Sequence, residues 1–459
     1  MTLPPRGASR MRPAFRRVAI VCFAMLVPVA LWNLWDYVEL RRLIGELQRI
    51  RERGEPLTAR EAGWQTDPSP FDADSAGVYF EAGSILALGG SRAPNVDGWL
   101  AGANTESLEE LEERLRRMVE RHSEALRLVD EGLTREFRGF SAGNEFSYRT
   151  WGVTSIAWLM SARSVGVSLA GEGDAAVQVV LDQLRYGSLV EAGEARLAFF
   201  GEPRHEIAGV LSFSRPSPAS LRRLQSALES LEDPERELDN LLRSRAELVE
   251  RIWRRYYGLD PQVPLTYRLP WRSVTESLLR PWFTHDFVRS LRLWSELIGA
   301  ARLPWPERMR ARQDVERRFP REPRSLPGSD PPTRWRPVWY EVSSDVPVSS
   351  FHLFTNPQRV VKDRASRMAV AVERYRRDHD DALPSSLSDL VPAYVGEVSL
   401  DPISGEPLRY RVDAESYSIY SVGVNGVDDG GNLRASYWGP SDQADVGVRV
   451  LRVPPRPAP

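Results

Sequence analysis

The sequence predicts a mainly α-helical protein. It has an N-terminal transmembrane helix, an irregular all-α helical body and a small C-terminal α+β domain with an antiparallel sheet. Three observations predict this. An uncharged apolar run fills residues 18–35. Over residues 55–319, apolar side chains recur at helical spacing and no alternating strand pattern occurs. Near the C-terminus, residues 408–422 hold two short alternating segments around a polar turn, which predicts a β-hairpin.

The composition fits a globular protein of two or three domains. The chain has 459 residues, of which 42% are hydrophobic and 27% are charged. Its formal net charge of −2 provides no overall field for nucleic acid, so no nucleic-acid partner is expected. The single cysteine, Cys22, lies inside the apolar run. The chain therefore cannot form an internal disulfide or a cysteine-based zinc site.

The patterns divide the chain into seven predicted segments. They are a cytoplasmic basic tail (1–17), a transmembrane helix (18–35), a helical stalk (36–54), the all-α body (55–319), a Pro-rich linker (320–356), the C-terminal α+β domain (357–450) and a disordered tail (451–459). The linker is dense in proline and charge, which favours an extended spacer.

The apolar run has the features of a membrane anchor. Its length is near the short end of the ~17–25 residues that span a bilayer. Trp32 and Trp35 close it and suit the membrane interface. Arginines without acidic residues precede it, so the positive-inside rule places the N-terminus in the cytoplasm and the body outside. We therefore expect a single-pass protein of the bacterial inner membrane whose body lies in the periplasm or extracytoplasmic space.

Two alternatives to an uncleaved anchor remain open. A signal peptide would require small residues at its cleavage site, and the end of this run offers a poor one. A lipoprotein signal would use Cys22, but Val21 precedes it and the apolar run continues beyond it.

Helices of the body are predicted from periodicity and from their end signals. Thr58 and Glu61 have capping-box spacing. Two helices around the Gly171–Asp174 turn are loosely similar to a tetratricopeptide hairpin, with Gly171 ending the first and Asp174 capping the second. The other predicted helices cover 75–88, 106–133, segments opened by Ser217-Pro218 and Asp233-Pro234, 283–302 and 306–318.

Candidate catalytic groups in the sequence are isolated. His205-Glu206 lacks the second histidine of a zinc-protease motif, because position 209 is glycine. His122 lies on an apolar helix face, where a buried core histidine is the favoured interpretation over a ligand. Two charged clusters favour helix-end roles over a catalytic or anion-binding site. They are Arg254, Arg255, Tyr256 and Tyr257, and Asp378, His379, Asp380 and Asp381.

The C-terminal domain carries a distinctive series of motifs. A helix with Val361, Ala365, Met368, Val372 and Tyr375 on one face precedes a short helical turn, the predicted hairpin and a last strand at 446–450. The motif residues are Leu383-Pro384, Asp401-Pro402, Gly405, Pro407, Tyr410, Tyr417, Ser418, Ile419, Ser421, Gly423, Asn425-Gly426, Gly430-Gly431 and Asp445-Val446. In this order they resemble the globular domain of the type II secretion major pseudopilins.

The resemblance implies a helix packed on a small antiparallel sheet, and a final loop that holds one calcium ion. The residues at the corresponding positions are Asn425, Asp428, Asp429 and Asp445. Oxygen-rich loops suit calcium, although asparagine stands where the family has its first aspartate. The alternative interpretation is that Asn425-Gly426 and Asp429-Gly430 are simply turns.

Two departures from that family bear on function. No prepilin cleavage motif precedes the apolar run, and residues 36–356 lie between the run and the C-terminal domain. We therefore expect a non-enzymatic binding or scaffold protein of the envelope, with envelope or secretion-related proteins as partners. An extracytoplasmic hydrolase with an unrecognised site in the body, or an atypical pseudopilin, are the alternatives.

Overall fold

A computed structural model describes residues 13–58, 60–62, 75–89, 107–135, 146–193, 206–230, 234–253, 274–318, 357–423, 425–433 and 445–452. These residues confirm a mainly helical protein with a small antiparallel sheet. The helices are α1 (Pro13–Glu52), α2 (Ser75–Gly89), α3 (Leu108–Arg121), α4 (Ser123–Thr134), α5 (Phe146–Leu169), α6 (Gly173–Gly193), α7 (Glu206–Phe213), α8 (Pro218–Glu229), α9 (Pro234–Ile252), α10 (Val274–Ala301), α11 (Glu307–Arg318) and α12 (Pro357–Asp378). The strands are β1 (Arg409–Val412), β2 (Ser416–Ser421) and β3 (Val446–Leu451). The predicted linker lies outside the described residues.

Several predicted helix ends are confirmed by their local chemistry. Ser217 caps α8 by accepting a hydrogen bond from the backbone N–H of Ser220, and Pro218 takes the first helical position. Gly171 follows α5 with a φ of 85°, the left-handed conformation that glycine adopts without strain. Asp174 does not cap α6 as predicted. It lies in the first turn of α6 and accepts the backbone N–H of Ser217 at 2.7 Å.

Two predicted helices have different bounds. The segment 106–133 is divided into α3 and α4 at His122, whose backbone leaves the helical region with φ −111° and ψ 25°. Helix α10 begins nine residues earlier than predicted and continues through Pro281. Its packing against α1 outweighs the local cost of an internal proline. At Thr58 one half of the predicted capping box forms, because Thr58 Oγ1 accepts the backbone N–H of Glu61 at 3.1 Å. The Glu61 carboxylate accepts the backbone N–H of Leu57, the residue before the cap, at 2.7 Å, and residues 60–62 form a turn rather than a helix.

Helices α1 and α10 run parallel along the predicted stalk. Asp36 pairs with Arg280, Glu46 with Arg292 at 2.6 Å, and Glu55, just after α1, with Arg302 at 2.8 Å. Both sequence numbers rise along this series, which fixes the direction. An apolar core lies beneath these ion pairs. Its most buried members are Leu43 and Ile50 from α1, Leu241 and Val249 from α9, Trp253 directly after α9, and Phe287, Leu291 and Ile298 from α10.

One hydrophobic core joins the body to the C-terminal elements. Its side chains come from α3, α5, α6, α7, α8, α12 and the sheet. They include Leu115, Val165, Val180, Val210, Leu224, Val361, Met368, Val372, Ile419 and Val448. Because α12 packs on α8 on one side and on β2 and β3 on the other, the sheet is built onto the body.

The three strands form one antiparallel sheet in the order β1-β2-β3. Tyr417 pairs with Val412 in β1 and with Val450 in β3. Helix α7 packs on β3, and the backbone N–H of Leu451 donates to Ser212 Oγ at 2.9 Å. The predicted strands and the predicted α12 therefore agree with the structure, whereas the contact between α7 and β3 was not predicted from the sequence.

Among the described residues, no helix is both long and apolar enough to cross a membrane. Of the predicted transmembrane segment 18–35, the side chains at positions 18, 19, 21 and 22 lie outside the described residues.

Candidate functional site

The four predicted metal ligands lie in one loop that closes around Asp445. This side chain is fully buried. Its two carboxylate oxygens accept the backbone N–H of Gly431 at 2.7 Å and that of Asp429 at 3.3 Å. Burial raises the pKa of Asp445, these two hydrogen bonds lower it, and the charges of Asp428 and Asp429 raise it further; the net shift is upward. The acidic side chains of Asp428 and Asp429 thus lie close enough to Asp445 to influence it.

Strand β1 supplies positive charge to the same loop. Arg409 donates to Asp428 at 2.8 Å, and Arg411 donates to the carbonyl oxygen of Gly430. The hydroxyl of Tyr420 donates to Asp428 at 3.2 Å. These partners were not predicted. The only signal for them was the spacing of Arg409 and Arg411, which puts two cations on one face of a strand.

The remaining two predicted ligands are hydrogen-bonded to each other. Asn425 Nδ2 donates to Asp429 at 3.0 Å, and Asn425 Oδ1 accepts the backbone N–H of Val427 at 3.1 Å. Calcium requires six to eight oxygen ligands. In the part of the chain that the structure describes, no group of three or more histidine, cysteine or acidic side chains is arranged to hold a metal ion. Calcium binding therefore stays a prediction.

Among the described side chains of α1 between positions 20 and 34, the exposed ones are mainly apolar. Ile20, Phe23, Met25, Leu26, Val29, Leu31 and Leu34 are each more than half exposed. From Asp36 onward the same helix is buried against α10 and its exposed positions are mainly charged. The described part of the helix thus has an exposed apolar segment, 20–34, followed by a packed segment.

The Asp378–Asp381 cluster fastens α12 to its surroundings. Asp378 accepts from the hydroxyl of Tyr394 at 2.9 Å, and His379 stacks on Tyr375 with ring centroids 3.8 Å apart. Asp381 pairs with Arg215 in the loop after α7. Asp380 and Asp381 both have positive φ values, 50° and 63°, which aspartate tolerates better than most residues. These contacts fit the helix-end role predicted for the cluster.

Of the other candidate residues, the structure describes His122 and Glu206. His122 is buried between α3 and α4, and burial lowers its pKa, as expected for a core histidine. Glu206 opens α7 and is buried, while His205 lies outside the described residues. The cluster Arg254–Tyr257 also lies outside them.

Buried ionic contacts within the protein were missed at the sequence level. Arg245 of α9 is fully buried and donates to Glu55 at 2.6 Å. Glu373 of α12 pairs with Arg376 at 2.8 Å and accepts from the hydroxyl of buried Tyr417 at 2.9 Å. The partners Glu55 and Arg245 are 190 positions apart, so no local pattern reveals them.

The C-terminal elements have the order that the pseudopilin resemblance implies. Helix α12 is followed by a 3₁₀ turn, Leu387–Leu390, and then by the three-stranded sheet. Comparisons with protein-family models, curated proteins and solved structures found no match to this chain. The resemblance therefore stays a prediction, and the chain is assigned to no family.

Proposed function

We propose that this chain is a membrane-anchored scaffold or binding protein of the bacterial envelope. Its anchor is the segment 18–35 of α1 in the inner membrane, and its helical body and pseudopilin-like C-terminal domain face outward. The observation that supports the anchor most is the uncovered apolar surface of α1, which continues directly into a packed helix. Such a surface is costly in water and favourable in lipid.

The buried acids support a scaffold role for the body. Asp36, Glu46, Glu55 and Glu373 each pair with arginine across or within helices. These groups hold elements together and are not gathered in one cleft. An envelope protein whose partners dock on its surfaces is the function that fits this distribution, with envelope or secretion-related proteins as those partners.

Replacing Leu26 and Val29 together with arginine is expected to release the full-length protein from membranes. Each arginine near the centre of a membrane helix costs about 2.5–3.5 kcal/mol on insertion scales. The measurement is the fraction of protein that stays in the membrane pellet after alkaline carbonate extraction. The unchanged protein should stay in the pellet and the variant should not.

A matched control replaces Arg49 and Glu52 with other polar residues, because both are exposed on the packed segment of the same helix. That variant should stay in the pellet. Extraction of the unchanged protein into the soluble fraction would overturn the proposed anchor.

We propose, second, that the loop around Asp445 binds calcium. The supporting observation is that Asp428 and Asp429 come close to the buried carboxylate of Asp445, which accepts the backbone N–H of Asp429 at 3.3 Å, so that like charges lie near one another. A divalent cation would relieve this repulsion. Arg409 already neutralises part of the charge, so calcium and Arg409 compete for Asp428.

Calcium is expected to raise the melting temperature of the full-length protein. Ligand at one hundred times its dissociation constant adds about 2.7 kcal/mol to the free energy of unfolding. Arg409→Gln, which leaves Asp428 without its guanidinium partner, should respond at lower calcium concentration. Asp445→Asn should not respond, whereas the control Asp380→Asn, at an exposed position outside the loop, should respond like the unchanged protein. Equal melting temperatures with calcium and with chelator would exclude this second proposal.

A further inference from the structure

The surface of α1 changes character over a short distance. Leu31 and Leu34 are 61% and 59% exposed, and both are apolar. The next exposed aromatic, Tyr37, accepts a hydrogen bond from Arg41 Nε at 2.9 Å, and the Arg41 guanidinium lies 5.5 Å from the centre of its ring. Beyond Arg41 the exposed side chains of α1 are mainly charged or polar. Residues 34–41 therefore mark the boundary between apolar and polar surface.

The N-terminal part of α10 lies beside this boundary. The ring of Trp282 meets the ring of Trp35 edge-on, with centroids 4.5 Å apart and planes at 82°. The guanidinium of Arg280 donates to both carboxylate oxygens of Asp36. It also lies 5.8 Å from the centre of the Trp32 ring. Helix α10 runs parallel to α1 and begins at Val274, eight residues before Trp282. Its first turns therefore lie beside the apolar segment of α1 that precedes Trp35.

Trp282 differs from the other aromatic side chains described in α10. Phe283, Phe287 and Trp294 are at most 3% exposed, whereas Trp282 is 50% exposed. Tryptophan is enriched where a protein crosses from hydrocarbon to headgroups, because its ring is apolar and its N–H is polar. The pairing of Arg280 with buried Asp36 also lowers the cost of placing that acid near a low-dielectric medium.

We infer that α10 meets the headgroup region of the bilayer at the level of Trp282, with the Trp282 ring as its contact. We infer a contact with lipid rather than with another protein, because the Trp282 and Arg280 side chains lie level with the apolar-to-polar boundary of α1. The protein is then held to the membrane by two segments that are far apart in sequence, α1 and α10. This inference rests on the proposed anchor, and the following experiment separates the two.

The depth of three positions can be measured in the full-length protein. With Cys22 changed to alanine, single cysteines are introduced by Leu26→Cys, Trp282→Cys and Arg289→Cys and labelled with an environment-insensitive fluorophore. The protein is placed in vesicles of phosphatidylcholine and phosphatidylglycerol that carry nitroxides near the headgroup or near the chain ends. Position 26 lies about 14 Å deeper than Trp35, and position 289 lies about 10 Å farther along α10 than Trp282.

The expected result is a graded pattern. Chain-end nitroxides quench the label at 26, and headgroup nitroxides quench the label at 282 at least about twofold more than the label at 289, as for an interfacial residue. His285→Cys, at an exposed side chain one turn further along α10, provides a second probe of the same surface and should give an intermediate value. It decides the result if Trp282→Cys does not fold.

Two outcomes would overturn the inference. In the first, the label at 26 is quenched, but the label at 282, or at 285 in its place, is quenched no more than the label at 289. The anchor then stands and α10 does not meet the bilayer. A second copy of the chain or another protein covering Trp282 would give this result. If the label at 26 is not quenched by either nitroxide, the proposed anchor fails and the inference fails with it.

Discussion

Replacing Gly447 with alanine is expected to lower the free energy of unfolding by about 3 kcal/mol, the upper range for overpacking a core. Gly447 lies in β3 directly opposite Tyr420 of β2. A β-carbon at this position would lie inside the contact distance of the Ile419 carbonyl oxygen and 2.7 Å from the Tyr420 α-carbon. Both neighbours are backbone atoms, which cannot rotate away as a flexible side chain can. The strands must separate, and β3 also carries the contact with α7.

Gly166→Ala is the matched control for this change. Gly166 lies within α5, and a β-carbon there would meet nothing within 4 Å. Alanine is favoured over glycine inside a helix by about 1 kcal/mol, so this variant should be slightly more stable. Denaturant unfolding of both variants in the same detergent measures the difference. Equal stability of Gly447→Ala and the unchanged protein would contradict the strand pairing described above.

Replacing Glu55 with alanine is expected to cost about 3–5 kcal/mol, because it leaves a buried arginine without its partner. Arg245 is fully buried and its guanidinium donates to Glu55 and to the carbonyl oxygen of Pro56. Glu55 also pairs with Arg302 at 2.8 Å. The loss therefore loosens the contacts that join the end of α1 to α9 and α10.

Two controls identify the buried charge as the cause. Glu113→Ala removes a carboxylate that pairs with Arg116 and Arg117 on the surface, and it should change stability by less than about 1 kcal/mol. Replacing Glu55 and Arg245 together with methionine should recover most of the stability, since apolar pairs of similar volume often replace buried ion pairs without loss. A single Glu55→Ala variant that is as stable as Glu113→Ala would contradict a buried pair.

The effect of Glu55 also has a defined pH dependence. Burial raises the pKa of its carboxyl group, but the hydrogen bonds and charges of Arg245, Arg302 and Arg53 outweigh burial and hold the pKa below its ordinary value of 4.5. The group is therefore ionised in the folded state at lower pH than in the unfolded state. Its contribution is full above the unfolded pKa and is lost as pH falls through the folded pKa. The difference between the unchanged protein and Glu55→Ala should shrink as pH falls below 4.5.

Elements with strong local signals agree with their sequence predictions. Helix α12 has a regular apolar face whose members Val361, Ala365, Met368 and Val372 are fully buried, and it ends where predicted. The hairpin of β1 and β2 forms where its alternating sequence predicted it, although burial does not alternate, since all of β2 is buried and most of β1 is exposed. In both cases the signal depends on neighbours within a few residues.

Features that depend on distant parts of the chain were not predicted. The early start of α10 depends on α1, which covers the helix around Pro281. The contact of α7 with β3 joins Ser212 to Leu451, and its hydrogen bond leaves no pattern in either segment. The role of Arg409 at the predicted calcium loop is of the same kind. In each case the residues around one partner contain no pattern that indicates which distant residue it contacts.

The attachment of the C-terminal sheet to the body is tested most directly by cutting the chain between them. A specific protease site is inserted within residues 320–356, the full-length protein is cut in detergent, and the two pieces are passed over a size-exclusion column. Because α8 and α12 pack together and share one core with the sheet, the pieces should elute together at the position of the uncut protein. Separate elution of the C-terminal piece would contradict the shared core.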